Sequence, residues 1–385
     1  MAVFELRKFV APEFIFGVGA RHRAGLCARS LHAKRVLIVT DDGVAATGWL
    51  SELLDDLGAE AIDTRVFRDV TPNPRDHEVM AGVEIYRSTG CDVIIALGGG
   101  SAIDCAKGIA VVAANGGHIL DFEGVDTIPL PGPPLICIPT MAGTAADISQ
   151  FAIISDVARR TKIAIISKSV VPDVALVDPE TTLSMPPYLT ACTGLDALTH
   201  AIEAFVSSAS SPVVDGHALE AIRGVKNHLL AAVANPLDLA AREQMMLSSL
   251  QAGLAFSNAS LGATHAMAHS LGGYLDLPHG ECNALLLEFV IDFNFHASED
   301  RYLKIGEALG LEMSGGTRDD RLRRIQEDIR ALRNAAGVHA GLAARGVTRG
   351  AVDDLAEHAI HDACIFTNPR RATTADLKTI YAEAL

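Results

Sequence analysis

The chain has 385 residues, 49% of them hydrophobic and 21% charged, so at roughly 150 residues per domain two packed domains are expected and a mainly disordered chain is excluded. Lys and Arg number 32 against 47 Asp and Glu, a net charge of −15, and an acidic surface of that size repels phosphate backbones and anionic lipid. Nucleic acid is therefore not an expected partner.

At the N-terminus, Glu5, Arg7 and Lys8 interrupt the stretch where a secretory signal needs an unbroken apolar run, so no signal peptide is expected. Gly17-Val18-Gly19 lacks a strand-to-helix context and reads as a turn. Val36–Thr40 reads as a buried strand, being short, β-branched and bounded by Asp41-Asp42-Gly43. A second such run, Cys91–Leu97, ends at three glycines, and a third, Leu135–Ile138, follows the Pro-rich turn 129–134. Apolar strands separated by helical stretches imply a parallel sheet covered on both faces, an α/β domain. None approaches the roughly 20 residues of a membrane-spanning helix, so no membrane association is expected.

From about Pro186 the texture becomes helical. Thr190–Ser207 places Leu195, Leu198, Ile202 and Phe205 on one face at spacings of three and four. Glu243–Phe256, Ala259–Tyr274, Asp319–Ala336, Val352–Cys364 and Thr374–Leu385 read the same way. The expected organisation is an α/β domain over residues 1–185 and an all-helical domain over 186–385. The seven cysteines are odd in number and include no C-x-x-C pair, which fits reduced thiols in a cytoplasmic protein.

Gly98-Gly99-Gly100-Ser101 closes a predicted strand and opens a predicted helix, where small residues and the helix N-terminus suit a phosphate. It is neither G-x-G-x-x-G nor a Walker A loop, so a plain tight turn is the competing reading. Asp41 and Asp42 end the first strand, where a carboxylate accepts from an adenosine ribose and repels a 2′-phosphate; a helix cap or turn is the alternative. Pro139–Thr144 is a weaker second candidate loop.

The helical half contains the stronger signal. Asp196 and His200 are four residues apart, as are His265 and His269, and His279 lies between Pro278 and Gly280. Each pair shares one helical face. Imidazoles in apolar company need partners, and a metal supplies one. One carboxylate with several imidazoles suits Fe(II), Zn(II), Co(II) or Mn(II).

Gly98–Ser101 with Asp104 and Lys107, Pro139-Thr-Met-Ala-Gly-Thr144, Thr193-Gly-Leu-Asp-Ala-Leu-Thr-His-Ala-Ile-Glu203, Ala255-Phe-Ser-Asn258, His265-Ala-Met-Ala-His-Ser-Leu-Gly272, Asp276-Leu-Pro-His-Gly280 and Thr367-Asn-Pro-Arg370 resemble the iron-containing (group III) alcohol dehydrogenases, from about Phe14 onward. The resemblance implies a dehydroquinate synthase-like fold, with metal and nicotinamide meeting in the cleft between the two domains. It implies Asp196, His200, His265 and His279 as metal ligands and His269 as the catalytic residue beside the substrate. NAD contacts would be Asp41, Asn73, Gly98, Gly99, Gly100, Ser101, Thr140, Thr144, Ser149 and Lys162. The implied activity is reversible hydride transfer between a primary alcohol or its aldehyde and NAD(H), with Fe(II) the first choice of metal and Zn(II) the second, in a homo-oligomer of two or more chains. The substrate pocket would lie near Phe256, His269 and Phe366.

Two departures stand out. Where that family usually carries Pro-Thr-Thr-Ala-Gly-Thr-Gly-Ser-Glu-Val-Thr, this chain has Met141, Ala145, Ala146, Asp147, Ile148 and Ser149, and the shortened carboxylate at Asp147 bears on substrate preference; Ser270 follows His269 where Pro is frequent. Two other readings compete. One is a zinc-type polyol or glycerol dehydrogenase of the same superfamily, against which the Asp196–His200 pair argues. The other is a regulatory protein that binds NAD and metal without turnover, favoured only by the altered 141–149 loop.

Overall fold

The structure is a computed structural model that describes residues 6–159, 161–339 and 341–385; the first five residues of the N-terminal stretch read for a signal lie outside it. Its strands, in chain order, are β1 (Glu13–Phe16), β2 (Arg35–Val39), β3 (Asp63–Phe67), β4 (Val93–Gly98), β5 (Gly124–Val125), β6 (Leu135–Pro139), β7 (Phe151–Asp156), β8 (Thr161–Ile166) and β9 (Val174–Val177). Six form a wholly parallel sheet in the order β1-β9-β6-β4-β2-β3.

The two-residue period of a strand sends alternate side chains to opposite faces, and the core divides accordingly. Leu37, Val39, Ile94 and Ala96 join one buried cluster. Val36, Ile38, Val93, Ile95 and Leu97 join the other. Helices lie on both faces, which is why β4 is buried along its whole length. Ligands of such sheets collect at the carboxyl ends of the strands, and β2, β4 and β6 end at Asp41, the three glycines and Thr140 respectively.

Beyond the three runs legible in the sequence, β3 and β9 complete the sheet and β1 borders it. β1 runs into Gly17, whose φ of +136 and Gly19's of +83 turn the chain into a 3-10 helix, Ala20–Arg23. The turn expected there is present, but it has the strand-to-helix context the sequence did not show. A second sheet, β5-β8-β7, contains the antiparallel hairpin β7–β8 and places Lys162 opposite Ser155.

Residues after Pro186 are helical. The first long helix, Pro187–Val206, is buried on every side from Thr190 onward rather than along one stripe, because helices Pro212–Ala234, Leu239–Ala259 and His279–Phe295 surround it. The helix expected over Val352–Cys364 ends at Ile360, and a 3-10 turn, Ala363–Thr367, follows. Asp362 starts that turn by accepting from the Cys364 N–H at 2.8 Å. All seven cysteines are free. No helix among the described residues is long and apolar enough to cross a membrane.

Candidate metal centre and dinucleotide cleft

On the sheet side, the glycine loop is packed against its neighbours. A Cβ on Gly98 would meet Ala102 Cβ at 2.7 Å, and one on Gly100 would meet Thr144 Oγ1 at 3.0 Å. Thr140 donates its N–H to Gly98 O at 3.0 Å. The loops after β4 and β6 thus form one surface around the N-terminus of helix Gly100–Asn115, whose first N–H groups have no acceptor within the helix. Asp41 does two things. Its Oδ1 caps the short helix Asp42–Ala45 by accepting from Val44 N at 2.9 Å, and its Oδ2 lies 3.6 Å from where a Gly98 Cβ would stand. Asp42 instead faces solvent beside Arg68.

Asn73 joins the two halves of the molecule. Its N–H donates to Ser101 Oγ at 3.2 Å, its Oδ1 accepts from Lys162 Nζ at 2.8 Å, and its Nδ2 donates to Asp276 Oδ1 at 2.6 Å. Asp276 ends the Ala263–Leu275 helix and precedes the Leu277-Pro278-His279 turn. Burial holds the Lys162 ammonium below its ordinary range.

On the helical side, Asp196 and His200 come from the Pro187 helix, His265 from the Ala263 helix, and His279 opens the His279–Phe295 helix. One ligand atom from each lies within 4.8 Å of all the others. Asp196 Oδ1 is 3.8 Å from Nε2 of both His265 and His279. The rings of His200 and His265 stack at 4.5 Å, and Phe256 covers the other face of His200 at 4.3 Å. Burial, with neighbouring imidazoles adding to it, keeps His200 and His279 neutral well below the usual histidine range. It also pushes the Asp196 carboxyl up.

These groups fit a divalent cation. Asp196 Oδ2, His200 Nδ1 and His279 Nδ1 are buried without a hydrogen-bond partner. The Asn283 amide nitrogen reaches Asp196 Oδ1 at 2.7 Å, His265 Nε2 at 3.0 Å and His279 Nε2 at 3.2 Å, but two N–H bonds cannot satisfy three acceptors. A cation bound by the Asp196 carboxylate and the converging Nε2 atoms of His265 and His279 supplies the partner that the amide cannot give all three.

Centre and loop open on the same cavity. His200, His265, His269 and His279 line it from the helical half, and Gly100, Ser101, Thr144, Ser149, Asn73 and Lys162 from the other. Asp41, Gly98, Gly99 and Thr140 lie outside that lining, toward the carboxyl ends of β2, β4 and β6. Phe256 forms part of the wall, but Phe366, expected near the substrate, is 79% exposed and takes no part. Asp147 is also absent from the lining, although Ala146 and Ser149 are present; its carboxyl is buried and pushed up to about 6.

Family models match almost the whole chain: iron-containing alcohol dehydrogenase over residues 11–179, and the C-terminal part of the Fe-containing alcohol dehydrogenase family over 190–385. The chain belongs to the iron-containing alcohol dehydrogenase family. It is 37% identical to an NAD-dependent methanol dehydrogenase of Bacillus methanolicus, covering 98% of this chain and 99% of that one. It is 42% identical to alcohol dehydrogenase 4 of Schizosaccharomyces pombe, over 98% and 89% of the two chains. The solved structure of an alcohol dehydrogenase from Oenococcus oeni superposes with a TM-score of 0.96 at 34% identity, covering 99% of this chain and 100% of that one. This alcohol dehydrogenase therefore shares its family's fold and its use of NAD and a metal.

Three residues of the enzyme's site had no role in the sequence reading. Glu203 Oε2 lies 2.6 Å from His265 Nδ1. Asn283 reaches the ligand atoms as described. Asp362 Oδ2 lies 2.8 Å from His269 Nδ1, and burial, which alone would raise this carboxyl, is outweighed by His269 and the Cys364 N–H, so it sits below its usual range. Glu203 belongs to the motif Thr193–Glu203 and Asp362 falls just before Thr367–Arg370, but each meets its histidine only through the fold.

Proposed function

We propose that the enzyme oxidises small primary alcohols with NAD, and reduces the corresponding aldehydes, at a divalent centre held by Asp196, His200, His265 and His279, with iron(II) the first choice of ion and zinc(II) the second. The observation that carries this reading is that His200, His265 and His279, whose ligand atoms lie within 4.8 Å of one another and of the buried Asp196 carboxylate, line the same cavity as Ser101, Thr144 and Lys162 of the dinucleotide half. When bound, the cation acts as a Lewis acid on the substrate hydroxyl, and NAD accepts the hydride.

The chain's own residues do the rest. The N-terminus of helix Gly100–Asn115 and its glycines hold the pyrophosphate, with Thr140 and Thr144 alongside, and Asp41 accepts from the adenosine ribose. Asn73, Ser149 and Lys162 border the nicotinamide end of the cavity. His269, oriented by Asp362, moves the hydroxyl proton. Phe151, Ile153, Phe256 and Leu261 provide the apolar wall, which suits an alkyl chain, as does the likeness to a methanol dehydrogenase.

The division between the halves is placed at residues 185 and 186, supported by the start of the first long helix at Pro187 and the two family matches on either side. A cytoplasmic setting is supported by seven free thiols. A homo-oligomer is supported by β1, an edge strand among the described residues, where Phe14 is exposed.

The test is metal analysis of anaerobically purified protein, together with NADH formation from a panel of primary alcohols and polyols. Metal at about one ion per chain with turnover of primary alcohols is expected. Metal without turnover on any alcohol would favour the regulatory reading, and preference for glycerol with zinc would favour the polyol branch.

A further inference from the structure

The three glycines of the dinucleotide loop leave three spaces, and their contents differ. The space beside Gly98 admits the Ala102 methyl and that beside Gly100 the hydroxyl-bearing side chain of Thr144, whereas the space beside Gly99 admits a thioether from the same 139–144 loop. Gly99 has an ordinary extended backbone, φ −77° and ψ −170°, which any residue adopts, so what its lack of a side chain provides is room. A Cβ there would meet Met141 Sδ at 2.3 Å, Cγ at 3.3 Å and Cε at 3.5 Å. The thioether lies on the face of the glycine that caps the phosphate-binding helix.

We infer that Met141 sets the enzyme's affinity for its dinucleotide, holding it below what the loop itself allows. Glycine at such a position serves close approach of the pyrophosphate to the backbone, and here a side chain already stands against it. Methionine is unbranched and turns about three torsions, so it moves aside rather than blocking entry. Moving it exchanges packing on Gly99 for contact with water or cofactor. Its sulfur also offers the phosphate no N–H or O–H, in a loop where the resembled family usually carries a threonine. The consequence is a dinucleotide that binds more weakly and leaves faster, which favours turnover wherever product release limits the rate.

This inference rests on the NAD reading of the cleft, and one set of titrations separates the two. NADH, ADP-ribose and adenosine are each titrated calorimetrically into the metal-loaded wild type, Met141→Ala and Met141→Thr. Removing the side chain should tighten NADH and ADP-ribose about threefold, and replacing it by threonine should add roughly a further tenfold or more, the worth of a hydrogen bond to the charged phosphate. Adenosine, which has no pyrophosphate, should bind all three proteins equally. Wild-type binding of NADH with no gain in either variant overturns the role given to Met141 and leaves the NAD reading intact. A gain that extends equally to adenosine also overturns it, since the effect would then lie away from the pyrophosphate. No binding of NADH or ADP-ribose to any of the three proteins overturns both.

Discussion

Glu203 Oε2 and His265 Nδ1 are 2.6 Å apart, both buried, and the same carboxylate accepts from the N–H of Gly262 at 3.1 Å and of Thr264 at 2.6 Å. One anion therefore caps the helix that carries His265 and His269 and fixes the tautomer of His265, placing the proton on Nδ1 and turning the Nε2 lone pair toward Asp196. Burial alone would raise the Glu203 carboxyl, but His265 and Thr264 hold it below the usual range. Glu203→Gln should weaken metal retention by about 10- to 100-fold while leaving most of the fold in place. Competition with a chelator, followed by metal analysis, reads this; unchanged retention would reduce Glu203 to a helix cap.

His265→Ala and His279→Ala should each lose the metal and all turnover yet remain folded, because the helical half is held by a large buried apolar cluster that runs from Leu195 and Phe205 to Leu377 and Tyr381. His269→Ala should keep the metal and lose turnover, since His269 lines the cavity beside the centre. Far-ultraviolet circular dichroism and metal content, measured on the same samples, check all three. Full metal occupancy in either ligand variant, or metal loss in His269→Ala, would redraw the ligand set.

Asp41 should exclude NADP. Its Oδ2 faces the glycine loop, and a 2′-phosphate there would meet a like charge at a cost of several kcal/mol, taking an effective dielectric of about 20. Asp41→Gly removes the repulsion, the ribose acceptor and the cap on Val44, so NADP should become usable and NAD should bind somewhat less well. The ratio of kcat/KM for the two cofactors, with one alcohol and one buffer, reports it. An unchanged ratio would leave Asp41 as a cap only.

Asp147 makes stability depend on pH. Burial raises its carboxyl to about 6, against the opposing pull of its own backbone N–H and of Lys107. The folded state then binds the proton more tightly than the unfolded one, so stability is greatest below the unfolded value near 4 and falls as pH rises to about 6, by about 2–3 kcal/mol for this group. Denaturant unfolding of wild type and Asp147→Asn at pH 5 and pH 8 should show a smaller decline in the variant. Parallel declines would contradict the assignment.

What the sequence made legible follows from how locally each feature is encoded. β2, β4 and β6 are continuous apolar runs because both faces are buried. β1 is an edge strand whose four residues are exposed or half-buried, and β8 carries Lys162, so neither shows that signature. The candidate centre could be read because the pairs Asp196–His200 and His265–His269 recur at helical spacing and His279 sits at a Pro-Gly turn, while the choice of Asp196, His200, His265 and His279 as ligands, with His269 left out, is what the family resemblance implies. Their supporting residues could not be read, since Glu203 stands 62 residues from His265, Asn283 stands 87 from Asp196, and Asp362 stands 93 from His269. Such pairs leave no local pattern.

The central claim is that alcohol oxidation depends on the cation held between Asp196 and the three histidines. Its most direct test is titration of chelator-stripped, still folded enzyme with ferrous iron under anaerobic conditions, following alcohol-dependent NADH formation. The account predicts no activity in the stripped protein and a linear return that saturates at one equivalent per chain, absent in His265→Ala. Full alcohol-dependent NADH formation by the stripped protein would contradict it.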